Sequence, residues 1–272
     1  MRLGEIMQLP AREDRTDHHV QTTRQLVLSA RNKSRALGNS MPRAVCAVRR
    51  GEPAHCDLEL ADADDDLLFA QILHFTTLFG AEAQTRGGML VHGALAVRTN
   101  LPGLQDLEGL GGILLTAPGG TGKTTASNRL PAPWVSLCDD TTLIVRDARG
   151  EYWAHPTPTW SRFFNGGAGG SWNTSTAVPL CAIFFLEQAS LDQAIRLGTG
   201  HAAAALVQSV AQASHLMTRD LDEAFARTLR SEWFENASAL TRRVPSFHLQ
   251  LTLTGEFWQE IARGLNWGSR DA

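Results

Sequence analysis

An eight-residue run, Ala117-Pro-Gly-Gly-Thr-Gly-Lys-Thr124, constrains this chain more than any other feature in it. It fits the Walker A spacing, with Ala in the first position where Gly is commoner. The spacing has a physical reason. Glycines let the backbone curl until successive N–H groups converge on phosphate oxygens. The following helix points its N-terminus at the same anion. A lysine placed at Lys123 reaches the β- and γ-phosphates, and the Thr124 hydroxyl can coordinate Mg²⁺. Such a loop needs a strand before it and a helix after it. Residues 112–116 (GILLT) read as the strand, and the stretch to Leu130 reads as a short helix stopped by Pro131 and Pro133. The expectation is an α/β nucleotide-binding core. Pro118, Gly119, Gly120, Thr121, Gly122, Lys123, Thr124 and Thr125 would hold ATP with Mg²⁺. As a loop lysine, Lys123 is expected to be exposed and to add little to stability.

The next apolar strand, Val135 to Leu137, arrives at once and runs into Cys138-Asp139-Asp140. Strand ends are where open α/β sheets place ligand-facing residues. Two carboxylates there suit phosphoryl transfer: one holds Mg²⁺ and the other accepts the proton of an incoming hydroxyl. Asp140 joins Thr124 as the metal contact in this reading, although residue type alone leaves open which aspartate takes which role. Taken alone, an Asp-Asp pair is equally a turn or a cap. Upstream, Met89 to Val97 (MLVHGALAV) reads as a buried strand interrupted by His92-Gly93, where a lone histidine is the pattern of a core residue.

Composition supports a globular enzyme: 43% hydrophobic and 19% charged residues over 272 positions. A net charge of −3 gives no reason to expect nucleic acid or an anionic membrane as partner. Only Lys33 and Lys123 are lysines, so one of two sits in the phosphate loop. Four cysteines (46, 56, 138 and 181) show no CxxC and no metal spacing, the usage of reduced cytoplasmic thiols. Residues 1–19 show no apolar h-region, and no apolar run nears the roughly 20 residues a bilayer span needs, so a cytoplasmic protein without a signal peptide or membrane span is expected.

Along the chain, residues 1–43 read as a polar extension with a helix over 21–37. Residues 44–87 read as a small strand-helix element: strands within Ala44 to Leu60 around a turn at Gly51 to Pro53, then a helix over Leu67 to Phe79. The acidic run 62–66 opens that helix. The kinase-like domain is expected over 88–272. It holds strands at Thr141 to Arg146, Cys181 to Leu186 and Phe247 to Thr254. Its helices are placed at Gly200 to Met217, Arg219 to Trp233 and Phe257 to Leu265. Glu151 to Ala177, rich in aromatics, prolines and glycines, reads as an irregular functional segment. It suits a lid that closes over nucleotide and acceptor, with Arg162 on phosphate.

The ordered set His92-Gly93, GILLTAPGGTGKT and CDD resembles the catalytic core of bacterial HPr kinase/phosphorylase, a fold related to phosphoenolpyruvate carboxykinase. The flanking text, WVSLCDDTTLIV, YWAHPTPTWSRF, AVPLCAIFFLEQA and LTLTGEFW, resembles the HPr-kinase-like proteins of SynChlorMet-type cassettes, encoded beside radical SAM enzymes and a small precursor peptide. The resemblance implies a kinase core with a C-terminal helical portion and a peptide or small-protein acceptor phosphorylated on Ser or Thr. It also implies Lys123 on phosphates, Asp139 and Asp140 as base and metal contact, and His92 near the reacting group. The HPr kinase metal-binding glutamate has no counterpart between Tyr152 and Leu186, and the PGRN-like motif is absent. His155, Arg162 and Asn165 are candidates to complete the site. Two other functions fit the same residues: a small-metabolite kinase, and a nucleotide-binding adaptor that delivers a precursor peptide with little turnover. The sequence leaves the oligomeric state open.

Overall fold

The computed structural model describes residues 76, 79–99, 111–157, 176–218 and 221–265, together with the backbone of the strands between residues 2 and 58. The chain divides into two compact units, 1–76 with 215–226, and 77–214 with 227–272.

In the first unit, β4 (Thr22–Arg31) pairs antiparallel with the short strands β1 (Arg2–Leu3), β2 (Met7–Gln8) and β3 (Arg12–Glu13), and with β5 (Arg43–Arg49). β6 (His55–Leu58) pairs with β5, which bears out the two strands expected between 44 and 60. The helix expected over 21–37 is contradicted. TTRQLVLSAR is strand, because Thr22, Thr23 and Val27 favour extended backbone and β5 offers a seven-residue partner. Of the helix expected from Leu67, residues 67–75 lie outside the described residues, and 79–85 are helical.

The second unit carries an eight-stranded mixed sheet. Its strands are β7 (Met89–Arg98), β8 (Gly112–Thr116), β9 (Trp134–Cys138), β10 (Thr141–Arg146), β11 (Tyr152–Pro156), β12 (Val178–Gln188), β13 (Gln193–Arg196) and β14 (Ser246–Leu251). The order is β11-β10-β7-β8-β12-β14-β13, with β9 also on β7 and β11 also paired to β12. β8, β12 and β14 run parallel, while β7 runs antiparallel to β8. In chain order the helices that pack here or follow are α1 (Lys123–Arg129), α2 (Thr199–Ala213), α3 (His215–Thr218), α4 (Glu223–Arg243) and α5 (Phe257–Gly264); α3 and the start of α4, up to Ala226, fall in the first unit and the rest in the second.

Side chains alternate between the two faces of the sheet. Leu95, Leu114 and Ile183 share one core with Leu206 and Val210 of α2 and Trp233, Ala237 and Leu240 of α4. Ile113, Leu115, Phe184 and Leu249 share the other with Ala126 of α1 and Phe257 and Ile261 of α5. β12 is covered on both faces, which explains its unbroken apolar run from Ala182 to Leu186. Phe184 stacks on its register partner Phe247 at 5.0 Å, worth about 0.5–1.5 kcal/mol beyond burial.

Two expectations in this unit need correction, and one strand is additional. Tyr152–Pro156, expected to be irregular, is a strand held between β10 and β12. β13 was not foreseen. The second C-terminal helix begins at Glu223 and runs ten residues past Trp233, because Ala237 and Leu240 continue its buried stripe.

Candidate functional site

β8 delivers the chain to the glycine loop from the middle of the sheet. Thr116, its last residue, is fully buried, and its hydroxyl donates to the His92 carbonyl at 2.9 Å. The same oxygen lies 2.6 Å from Ser209 Oγ of α2. The loop then leaves the core: Pro118, Gly119 and Gly120 are exposed, and Thr121 and Gly122 are half-buried. Gly120 and Gly122 have φ of 79° and 101°, which a side chain would strain. A Cβ on Gly119 or Gly120 would meet nothing within 4 Å, so the loop surface is open to a ligand. α1 starts with no side-chain cap and no acidic residue in its first turn, so its leading N–H groups keep the positive end of the helix unmasked. At its other end, Arg129 donates to the carbonyls of Thr252 and Gly255 at 2.8 and 2.5 Å and lies over the Phe257 ring, which fixes the helix.

Lys123 is not the exposed loop lysine expected. It is 6% exposed, and its Nζ donates to the carbonyls of Ala117 at 2.9 Å and Pro118 at 3.3 Å. The ammonium is thus folded back under its own loop. Burial lowers its pKa, and the Asp140 charge acts in the opposite direction. Thr124 is half-buried in the first turn of α1, and Thr125 is exposed.

The aspartates follow β9, and they differ. Asp139 is fully buried. Asp140 is partly exposed: its Oδ1 lies 3.4 Å from His92 Nδ1, and its Oδ2 accepts from Thr141 Oγ1 at 3.2 Å. Burial lowers the His92 pKa, the Lys123 charge lowers it further, and the Asp140 charge and backbone oppose both. His92 is therefore held as neutral imidazole near neutrality, with the nitrogen nearer Asp140 as its donor. Lys123, His92 and Asp140 form one electrostatic group beside the loop.

Of the other candidates, His155 lies on β11, opposite Leu143, which itself opposes Leu90. It therefore shares the sheet face of His92, and burial lowers its pKa. Arg162 and Asn165 lie outside the described residues. The first glutamate past Tyr152 is Glu187, near the end of β12. Its carboxylate pairs with His248 Nε2 at 2.9 Å and accepts from Gln250 at 3.4 Å. Its neighbour Gln188 reaches the loop instead, donating to the Thr121 carbonyl at 3.3 Å. Residue type does not mark out Gln188 or Ser209. Gln188 could have been found from its place at the end of the strand parallel to β8. Among the described residues, no group of three or more His, Cys, Asp or Glu side chains could hold a metal ion. A Mg²⁺ that keeps its waters and phosphate oxygens needs only one or two protein oxygens, fewer than such a group supplies.

A family model described as SynChlorMet cassette protein ScmC matches residues 54–266. The chain belongs to the SynChlorMet cassette protein ScmC family. The matched residues include the glycine loop, both aspartates and His92. The match bears out the cassette association. No curated protein matches the chain. None of the described helices is long and apolar enough to cross a membrane.

Proposed function

We propose that this ScmC protein is an ATP- and Mg²⁺-dependent kinase with an HPr-kinase-like core, acting on a Ser or Thr hydroxyl of a peptide or small protein of its cassette. The observation that carries the reading is the convergence of Lys123, Asp140 and His92 on an open glycine loop that ends β8. The loop amides and Lys123 bind the phosphates, and Lys123 offsets charge on the transferred group. Thr124 and Asp140 would hold Mg²⁺, which supplies charge neutralisation across the phosphates. The acceptor oxygen attacks the γ-phosphorus in line, the bond from phosphorus to the β–γ bridging oxygen breaks, and ADP leaves with that electron pair. The hydroxyl proton passes to the aspartate pair. Asp140 is the member open to solvent, and neutral His92 orients its carboxylate.

One observation favours a nucleotide-binding adaptor instead: only one of the two aspartates is exposed, so a single accessible carboxylate would serve both metal and proton. Incubation with γ-labelled ATP and the neighbouring precursor peptide, read by mass spectrometry, separates the two. A gain of one phosphate on the peptide supports the kinase. Bound nucleotide with no transfer to peptide or small metabolite supports the adaptor. Failure to bind nucleotide overturns both.

A further inference from the structure

β10 and β11 form a hairpin that turns through residues 147–151, and the turn is stiff. Asp147 Oδ1 accepts the backbone N–H groups of Arg149 and Glu151 at 2.9 and 2.8 Å, and its Oδ2 accepts Trp153 Nε1 at 3.2 Å. Gly150 completes the turn with φ of 82°. At the root of the hairpin Arg146 directly opposes Tyr152, so both side chains project from one face.

Tyr152 is only 4% exposed, and its buried hydroxyl makes no hydrogen bond. A buried phenol ordinarily finds a partner. Here its surroundings are cationic: the Arg146, Arg243 and Arg242 guanidiniums all act on it. Two of them meet over Gly150, where an added methyl would lie 3.3 Å from Arg146 Nη2 and 3.4 Å from Arg243 Nη2. Gly87, also at positive φ, gives Arg146 room in the same way. The carboxylate beside this group is Glu151, 3.0 Å from Arg243 Nη1, and both side chains of that pair are largely exposed. Exposed pairs of this kind are weak and readily exchanged. Asp147 is committed to the turn. Arg146 and Arg243 therefore bring two permanent positive charges and planar donor forks together beside a buried hydroxyl donor, and Arg242 adds a third charge from the same last turn of α4.

We propose that Arg146, Arg242, Arg243 and the Tyr152 hydroxyl bind a phosphate-type oxyanion, at a site separate from the glycine loop. Burial raises the Tyr152 pKa more than the guanidiniums lower it, so the phenol keeps its proton and can donate. Three guanidiniums match a dianion better than a single carboxylate. The ligand is either free phosphate or a phosphate monoester, and these differ in the group beyond the phosphorus.

Tyr152 is the only tyrosine in the chain, so ring-labelled tyrosine gives one NMR signal. The full-length protein is titrated with inorganic phosphate and, separately, with O-phosphoserine. The expected result is a saturable shift of that signal with a midpoint on the order of 1 mM. The shift persists in Lys123→Ala, which disables the loop, and its midpoint weakens at least about tenfold in Arg146→Gln and Arg243→Gln. A tighter midpoint for phosphoserine identifies a monoester; equal or weaker binding identifies free phosphate. Should either glutamine variant fail to fold, Arg242→Gln, exposed at the helix end, replaces it. No shift with either probe up to about 10 mM, a shift that Lys123→Ala removes, or one that the folded glutamine variants leave unchanged overturns the proposal.

Discussion

Replacing Lys123 by Ala tests the loop most directly, and the structure sets the size of the effect. In a nucleotide complex the ammonium would make about two charge-assisted hydrogen bonds at ~1.5–3 kcal/mol each, or ~3–6 kcal/mol gross. At 1.4 kcal/mol per tenfold that corresponds to roughly 100- to 10,000-fold in affinity. The lower end is expected, because Lys123 already donates to Ala117 and Pro118 and must exchange those bonds for phosphate. Stability moves in two opposing directions. The buried Ala117 carbonyl loses a donor, at about 1–3 kcal/mol, while a desolvated ammonium disappears. The net change is expected within about 1 kcal/mol, a melting shift of about 2–4 °C for a protein of this size. Isothermal calorimetry with ATP and Mg²⁺, beside a thermal melt, reads both quantities. An affinity within about twofold of wild type in the folded variant would refute the assignment of the loop.

Four further outcomes follow from the geometry. Asp140→Asn retains nucleotide binding and loses phosphoryl transfer, and the His92 pKa falls further because a charge that raises it is gone; histidine NMR titration and a turnover assay check the two halves. Asp139→Asn is likewise expected to bind nucleotide without transferring phosphate, and wild-type turnover in both variants would reduce the pair to a turn. Gly120→Ala loses about 1–2 kcal/mol through its positive φ alone, since the new methyl meets nothing, whereas Gly119→Ala leaves the melting temperature unchanged. His92 and His155 both have folded pKa values below the unfolded one, near 6.5, so the unfolded state takes up more protons as pH falls. Stability is therefore complete above about pH 6.5 and falls below it; urea unfolding should show His155→Gln with a shallower decline, and an unchanged slope would exclude burial as the cause.

Local chemistry made part of this fold legible in advance. The glycine spacing, the apolar lead-in and Pro131 dictate strand, loop and short helix within twenty residues, and β8 and α1 lie as expected. β9, β10, β12 and α5 follow from apolar runs bounded by turn residues. What depends on distant partners was not legible. Tyr152–Pro156 carries a Trp and ends in Pro, yet it is strand because β12 returns to close the path through β11, β10, β7 and β8. That closure also ends the idea of a lid beginning at Glu151: Tyr152 and Ala154 are buried in the core, and the remainder of the segment, with Arg162, lies largely outside the described residues. The burial of Lys123 is hidden from the sequence for a similar reason, since a motif specifies residue types and not the direction in which a side chain folds.

The pairing of His92-Gly93 with Asp139-Asp140 has a structural reason that spacing along the chain conceals. β9 and β10 are successive stretches of chain on the same side of β7, with Cys138 opposite Leu95 and Thr141 opposite His92. Two residues separate each pair of anchors: Gly93 and Ala94 on one strand, Asp139 and Asp140 on the other. The register holds across the gap, but no paired residues are found within it. Threonine hydroxyls serve the carbonyls of β7 there: Thr142 donates to Gly93 at 2.8 Å and Thr116 to His92 at 2.9 Å. The aspartate backbone is thereby released from the ladder, which lets one carboxylate turn into the core and the other toward His92. Gly93 is required for a separate reason: a methyl there would come within 2.9 Å of Leu114 and 3.1 Å of the Leu115 carbonyl, forcing β7 away from β8. Because β8 carries the glycine loop, any such displacement would separate His92 and Asp140 from Lys123. Gly93→Ala is therefore expected to lose transfer more completely than it loses fold, and a variant that melts like wild type with full turnover would break this link between sheet register and chemistry.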